Sequence, residues 1–300
     1  MKRRRRTGQR MAAAVTAALV CLGTAGCGAF GGDGDEDGKP HAKDGGGTSA
    51  SSPGAGSEQG DDARGGEKPA DKPLRGKVIV VDPGHNPHNR DQPGKISRRV
   101  DIGTGKKECD TTGTATNSGY AEADFTLDLA HRVRARLQEH GATVRLTHDG
   151  DEPYGPCVDE RAEKGNQAQA DAAISLHADG APAGSRGFHV ILPASVHEGA
   201  ADTRDIVTPS RRFGTDLRDA FRTATGEQPA NYLGDGNGLD TRGDLGGLNL
   251  SKVPKVFLEC GNMRDPHDVA NLTSAKWREK AAGGVTDGIT AFLTAGKGKP

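Results

Sequence analysis

From about residue 75 onward, apolar positions follow two alternating rhythms. Five short apolar runs have the length and composition of buried strands: Lys77 to Asp82, Ala142 to Thr147, Asp171 to Leu176, Gly187 to Leu192 and Val253 to Leu258. Between them the spacing turns helical. Phe125, Leu129, Val133 and Leu137 recur every four residues within Glu122 to Glu139, and Gly141 follows as a stop signal. Asp159 to Ala170 reads as a polar, alanine-rich helix. Ser210 to Thr223 carries a Phe213, Leu217, Phe221 stripe, and Ser274 to Leu293 reads as a closing helix. Strands alternating with helices predict a layered α/β domain with a largely parallel sheet. Tyr232 to Leu250 is rich in Gly and Asp and is expected to be a long ordered loop.

The first residues follow a different pattern. Four arginines at positions 3–6 precede an apolar run from Met11 to Leu22, too short to span a bilayer, and then Gly-Thr-Ala-Gly-Cys27. This is the layout of a secretory signal over residues 1–27. Thr24-Ala-Gly-Cys27 resembles a bacterial lipobox, which makes Cys27 the expected lipidation site and a membrane lipid anchor the expected attachment; plain secretion is the alternative. Residues 28–74 are dominated by Gly, Asp, Ser, Pro and Lys. They cannot bury enough apolar surface to offset ordering, so a disordered tether is expected. Residues 75–296 are then one catalytic domain. A net charge of −1 and a pI near 6.8 give no indication of nucleic-acid binding. Export permits disulfides. Of the five cysteines, Cys109 and Cys157 both lie in loops and are expected to pair, whereas Cys260 follows a buried strand as a packed thiol.

Three of the apolar runs end in chemistry. Val78-Ile-Val-Val-Asp-Pro-Gly leads into His85, Ala172-Ala-Ile-Ser-Leu into His177, and Pro254-Lys-Val-Phe-Leu into Glu259. Ligands of open α/β sheets bind outside the carboxyl ends of strands. A catalytic zinc ion takes three protein ligands and keeps one position for water. His85 and His177 supply two. Glu122, in the first turn of a helix, is the best third candidate, with Asp124 as runner-up facing away. Glu259 is left as general base and acid. Arg242 or Asn262 could contact the substrate or share a developing oxyanion, and Asp82 could orient His85.

At these residues the sequence resembles the zinc-dependent N-acetylmuramoyl-L-alanine amidases, amidase type 3, and in particular the short mycobacterial-type cell-wall amidases. The resemblance rests on Asp82-Pro-Gly-His85, Glu122 early in the next helix, Ser175-Leu-His177-Ala-Asp and Glu259-Cys-Gly-Asn in that order, and on Arg186-Gly-Phe-His-Val, Ala230-Asn-Tyr and Asp244-Leu-Gly-Gly-Leu-Asn. It covers residues 77–294. It implies a single three-layer α/β domain of phosphorylase/hydrolase-like type. It also implies one Zn2+ per chain on His85, Glu122 and His177, and Glu259 as catalyst. The reaction implied is cleavage of the amide joining N-acetylmuramic acid to L-alanine in peptidoglycan. The chain is expected to act as a monomer. Those relatives carry a cysteine pair matching Cys109 and Cys157. The alternatives are a zinc peptidase acting on the stem peptide and a non-catalytic wall-binding lipoprotein.

Overall fold

The computed structural model describes residues 72–295. The expected signal, the lipidation at Cys27 and the tether over residues 28–74 fall outside the described residues, apart from the tether's last three. In chain order the elements are β1 Val78–Pro83, α1 Pro93–Ile96, the hairpin β2 Arg99–Asp101 and β3 Lys106–Glu108, α2 Glu122–Glu139, β4 Thr143–Leu146 and α3 Val158–Gln167. There follow β5 Ala172–Asp179, β6 His189–Pro193, the small ribbon β7 His197–Glu198 with β8 Ala201–Asp202, and α4 Arg204–Thr225. β9 Leu239–Arg242, α5 Gly246–Asn249, β10 Lys255–Asn262, α6 Pro266–Leu272 and α7 Ala275–Thr294 complete the chain.

The main sheet runs β4-β1-β5-β10-β6-β9. β4, β1, β5 and β10 pair in parallel, β6 reverses against β10, and β9 runs parallel to β6. Among the described residues, no helix is long and apolar enough to cross a membrane.

The two faces of this sheet are unequal. Side chains alternate with period two along a strand. Ile79 and Val81, Ile174 and Leu176, Val190 and Leu192, and Val256 and Leu258 all join one cluster with Phe125, Leu129, Phe213, Leu217, Val285 and Ile289 of α2, α4 and α7. Each fully buried side chain of this kind contributes roughly 1.5–3 kcal/mol, so stability concentrates on this face. The other residues of the same strands form the opposite face: Val80 and Asp82, Ala173, Ser175 and His177, and Lys255, Phe257 and Glu259. Its apolar cluster is small, built on Val80, Ala170 and Ala173.

Several boundaries differ from the sequence expectation. The stretch Tyr232 to Leu250 is not simply a loop, because it contains β9 and α5. β9 has only four residues, Leu-Asp-Thr-Arg, at a sheet edge, where one-sided pairing needs no apolar run. α4 starts at Arg204 rather than Ser210, because Pro209 is accommodated inside the helix. β5 and β10 both continue past their apolar runs, so His177 and Glu259 lie within strands and pair in register. Cys109 and Cys157 form a disulfide, and Cys260 is a free buried thiol.

Candidate metal centre and active site

Glu122 is the hub of the site. As the first residue of α2 it is buried, and its carboxylate sits between two imidazoles. Its Oε1 is 2.9 Å from His177 Nδ1, and its Oε2 is 3.2 Å from His85 Nε2. The same oxygens accept backbone N–H groups from Ala178 at 3.2 Å and Thr114 at 2.9 Å. Burial opposes its charge, but the flanking histidines outweigh burial and hold the carboxyl well below the usual range. At His85 burial also opposes charge. The carboxylates of Glu122 and Asp110 overcome it and push the imidazole well above its usual value. The pocket therefore attracts positive charge.

Local backbone geometry makes this convergence possible. Extended β1 ends in Pro83-Gly84, and His85 takes a left-handed φ of 63°, a strained value for a residue with a Cβ. Gly84 must be glycine, since a Cβ there would lie 2.3 Å from Cε1 of His177.

Hydrogen bonds behind the imidazoles fix which nitrogen of each faces the gap. His85 Nδ1 meets the Thr111 carbonyl at 3.1 Å and Asp110 Oδ1 at 3.4 Å. Both are acceptors, so Nδ1 carries a hydrogen and Nε2 is the nitrogen turned toward Glu122. His177 Nε2 lies 3.2 Å from Ser175 Oγ, whose own hydrogen goes to Asp82 Oδ2 at 2.6 Å. The hydroxyl must therefore accept from Nε2–H, and Nδ1 is the nitrogen that faces Glu122. One nitrogen of each imidazole and a carboxylate oxygen, within 4.8 Å of one another, thus converge on one point. This donor set, with oriented outer partners, could hold a divalent ion. A second grouping, Glu227, His267 and Asp268, lies outside the cleft; its Asp268 already accepts backbone N–H groups from Gly187 and Asn262.

Arg161 anchors the arrangement from below. It is buried and spends all its N–H groups on Asp82 (2.8 Å), Asp110 (2.7 Å) and the carbonyls of Pro83, His85 and Pro156. Neither Arg161 nor Asp110 was assigned a role from sequence. Asp110 adjoins Cys109, and the disulfide is the one sequence signal that could have drawn attention to it.

Glu259 stands beside His177 on the neighbouring strand. Its Oε2 is shut off from solvent without a hydrogen-bond partner. Burial first, then the charges of Glu122 and Asp179, push its carboxyl well above the ordinary range, although His85 and Arg242 oppose them. A carboxyl with raised proton affinity beside the donor set is placed to give and take a proton. The cleft these residues line has a volume of about 760 Å3 and includes Arg242. The Arg242 guanidinium is paired with Asp244 at 2.8 and 2.9 Å. Asn262 is not a cleft residue: its amide is consumed by Ala181 and Ser185 in an adjoining turn. Asp124 is exposed, 3.9 Å from Arg90, and takes no part in the donor set.

A family profile described as N-acetylmuramoyl-L-alanine amidase matches residues 79–291, which include every residue of this site. The chain belongs to this family. It is 41% identical over 225 residues to N-acetylmuramoyl-L-alanine amidase Rv3717 of Mycobacterium tuberculosis, covering 73% of this chain and 88% of the relative. Among solved structures it is similar to the amidase Ami1 of Mycobacterium smegmatis, with 40% identity, a TM-score of 0.67, and coverage of 74% of this chain and 99% of that one. Ami1 of Mycobacterium abscessus gives 41% identity and a TM-score of 0.67, covering 73% and 100%. The amidase fold and the mostly parallel sheet flanked by helices are thus shared with these relatives.

Proposed function

We propose that this amidase hydrolyses the amide joining N-acetylmuramic acid to L-alanine of peptidoglycan, with one zinc ion held by His85, Glu122 and His177. The observation that carries this reading is the locked orientation of both imidazoles toward Glu122. Zinc bound there would supply Lewis acidity toward water and the substrate carbonyl. The rest falls to the chain's own groups. Glu259 takes the proton of the attacking water and returns it to the nitrogen of the departing L-alanine, which leaves poorly unless protonated. Its raised proton affinity suits both transfers. Arg242, on the same cleft wall, contacts the substrate through whatever of its guanidinium Asp244 leaves free. All these groups come from one chain, so the site is complete within a single subunit.

The basic and apolar residues 3–22 and the lipobox-like Thr24-Ala-Gly-Cys27 support export and attachment through Cys27 to the wall-facing surface of the cell membrane, with residues 28–74 as tether and residues 75–296 as the catalytic domain. The purified chain should release peptides with free L-alanine amino termini from peptidoglycan, lose activity on chelation and regain it with zinc. Glu259→Gln should lower kcat by about 10²–10⁴-fold while zinc content is retained. Activity that survives both chelation and Glu259→Gln rejects the reading, and peptides lacking an L-alanine terminus would point to the stem-peptide peptidase instead.

A further inference from the structure

Glu259 sits on β10 between two histidines, in register with His177 of β5 on one side and His189 of β6 on the other. The donor set uses His177. It leaves His189, of the Arg186-Gly-Phe-His-Val run, without a part, although this side chain is only 2% exposed. Directly opposed residues of an antiparallel pair project to the same face, with Cβ atoms about 4.5–5.5 Å apart. That face of β6 is the reactive one. Ile191, two residues on, lines the cleft with its register partner Phe257, whereas Val190 and Leu192 join the apolar cluster.

Both facing residues carry an unmet polar atom. Among the described residues, seven side-chain nitrogen or oxygen atoms are shut off from solvent without a hydrogen-bond partner, and the strands hold just two of them: Glu259 Oε2 and His189 Nδ1. A buried polar atom is costly to leave unpaired, so two of them on facing residues point to each other. Other acceptors around His189 are engaged. Asp179 accepts from the Tyr232 hydroxyl at 2.9 Å and the Gly180 N–H at 2.7 Å, and Asp240 Oδ1 accepts from the Thr241 N–H at 2.9 Å. The Tyr232 ring meets the imidazole edge-on, with 6.0 Å between centroids. Burial, helped by Arg242, outweighs Asp179 and Asp240 and holds His189 below its usual proton affinity. The ring is therefore neutral, with one N–H and one lone pair.

We propose that His189 is a positioning residue for amide hydrolysis: its Nδ1–H donates to Glu259 Oε2, directly or across one trapped water, and leaves Oε1 to face the cleft. The assignment rests on the amidase reading above and gives the two carboxylate oxygens separate tasks. An ionised carboxylate is an acceptor only, so the imidazole must supply the hydrogen. Oε1 takes the proton of the attacking water and returns it to the departing nitrogen, while Oε2 stays an acceptor in both states. His189 keeps its own proton throughout. A carboxylate held by one oxygen presents the other in a fixed direction, which proton transfer over hydrogen-bond distance requires.

The test uses the full-length zinc-loaded chain. His189→Leu removes the donor and should lower kcat about 10–100-fold, the range for a hydrogen bond to a charged group, with KM and zinc content unchanged. His189→Asn puts an amide N–H where Nδ1 stood and should recover most of that loss. His189→Gln places it at the Nε2 position and should not. In a Glu259→Gln background, His189→Leu should cost nothing further; the same fractional loss in both backgrounds would mean packing alone and overturn the assignment. Nitrogen-15 spectra of the wild-type histidines read the pairing without turnover. His189 should carry its hydrogen on Nδ1, and that resonance should shift in Glu259→Gln. This signature in a chain that hydrolyses nothing would overturn the amidase reading and leave the pairing standing. A hydrogen on Nε2, or equal losses in His189→Asn and His189→Leu of an active amidase, would overturn the pairing.

Discussion

Ser175 has one hydroxyl hydrogen, and Asp82 takes it. That single bond decides which nitrogen of His177 can face a cation. Ser175→Ala would remove the lock while leaving the imidazole in place, and metal affinity should fall by about 10–100-fold. Competition with a chromophoric chelator would measure it, and an unchanged affinity would remove the orienting role. The donors themselves were legible in the sequence. An apolar run ending in Pro-Gly-His, another ending in His and a third ending in Glu each announce a strand end that carries chemistry. The supporting residues were not. Arg161 sits on a helix whose composition reads as a solvated polar face, yet it is 4% exposed. A charged side chain on a helix carries no local mark of burial, because its partners, Asp82 and Asp110, lie 79 and 51 residues away in sequence.

The helices α4 and α7 pack closely over the thick apolar face, and glycines of α7 allow it. A Cβ at Gly288 would lie 2.6 Å from the Leu217 Cα, whereas at Gly283 the nearest atom is Arg136 Nη1 at 3.9 Å. The two substitutions should therefore have opposite signs. Gly288→Ala should destabilise by about 1–3 kcal/mol through overpacking, and Gly283→Ala should stabilise by roughly 0.5–1 kcal/mol through helix propensity. Urea unfolding of both variants decides the matter; stabilisation in both would contradict the close approach of the two helices. Helix periodicity was the most readable signal at this scale, and the α2 boundaries match the expectation residue for residue. β9 escaped notice because Leu-Asp-Thr-Arg is too short and too polar to stand out from the loop around it. The disulfide was readable from its loop setting. Closing 48 residues, it should contribute about 4 kcal/mol by chain entropy.

For the whole molecule, the network of Arg161 with Asp82 and Asp110 links stability to pH. Burial alone would raise both carboxyls, but Arg161, joined by Lys255, Ser175 and Thr147 at Asp82 and by His85 and Asn89 at Asp110, holds them far below the ordinary value. A carboxyl lowered in the folded state adds stability that is complete above its unfolded pKa of about 3.9. That contribution drains away as pH falls through the folded pKa. The metal-free domain should accordingly lose stability steadily below about pH 4. Arg161→Met takes the shared guanidinium from two buried carboxylates, leaving Asp82 with Lys255 at 3.8 Å and Asp110 with His85 at 3.4 Å, and should cost about 3–5 kcal/mol at pH 7. The difference should narrow as the carboxyls protonate toward pH 3, and chemical denaturation at both pH values would reveal a cost that fails to narrow. The layered α/β architecture followed from the alternation of strands and helices. The reversal of β6 did not, because an isolated apolar run has no direction written into it.

The lopsided sheet has a practical consequence. Its cohesion and its chemistry occupy opposite sides of the same strands, so adjacent positions in sequence answer to different demands. Thermostabilising libraries can therefore be confined to every second strand residue and the helices above them, sparing the first turn of α2 that carries Glu122, and so leave the reactive side of the enzyme untouched.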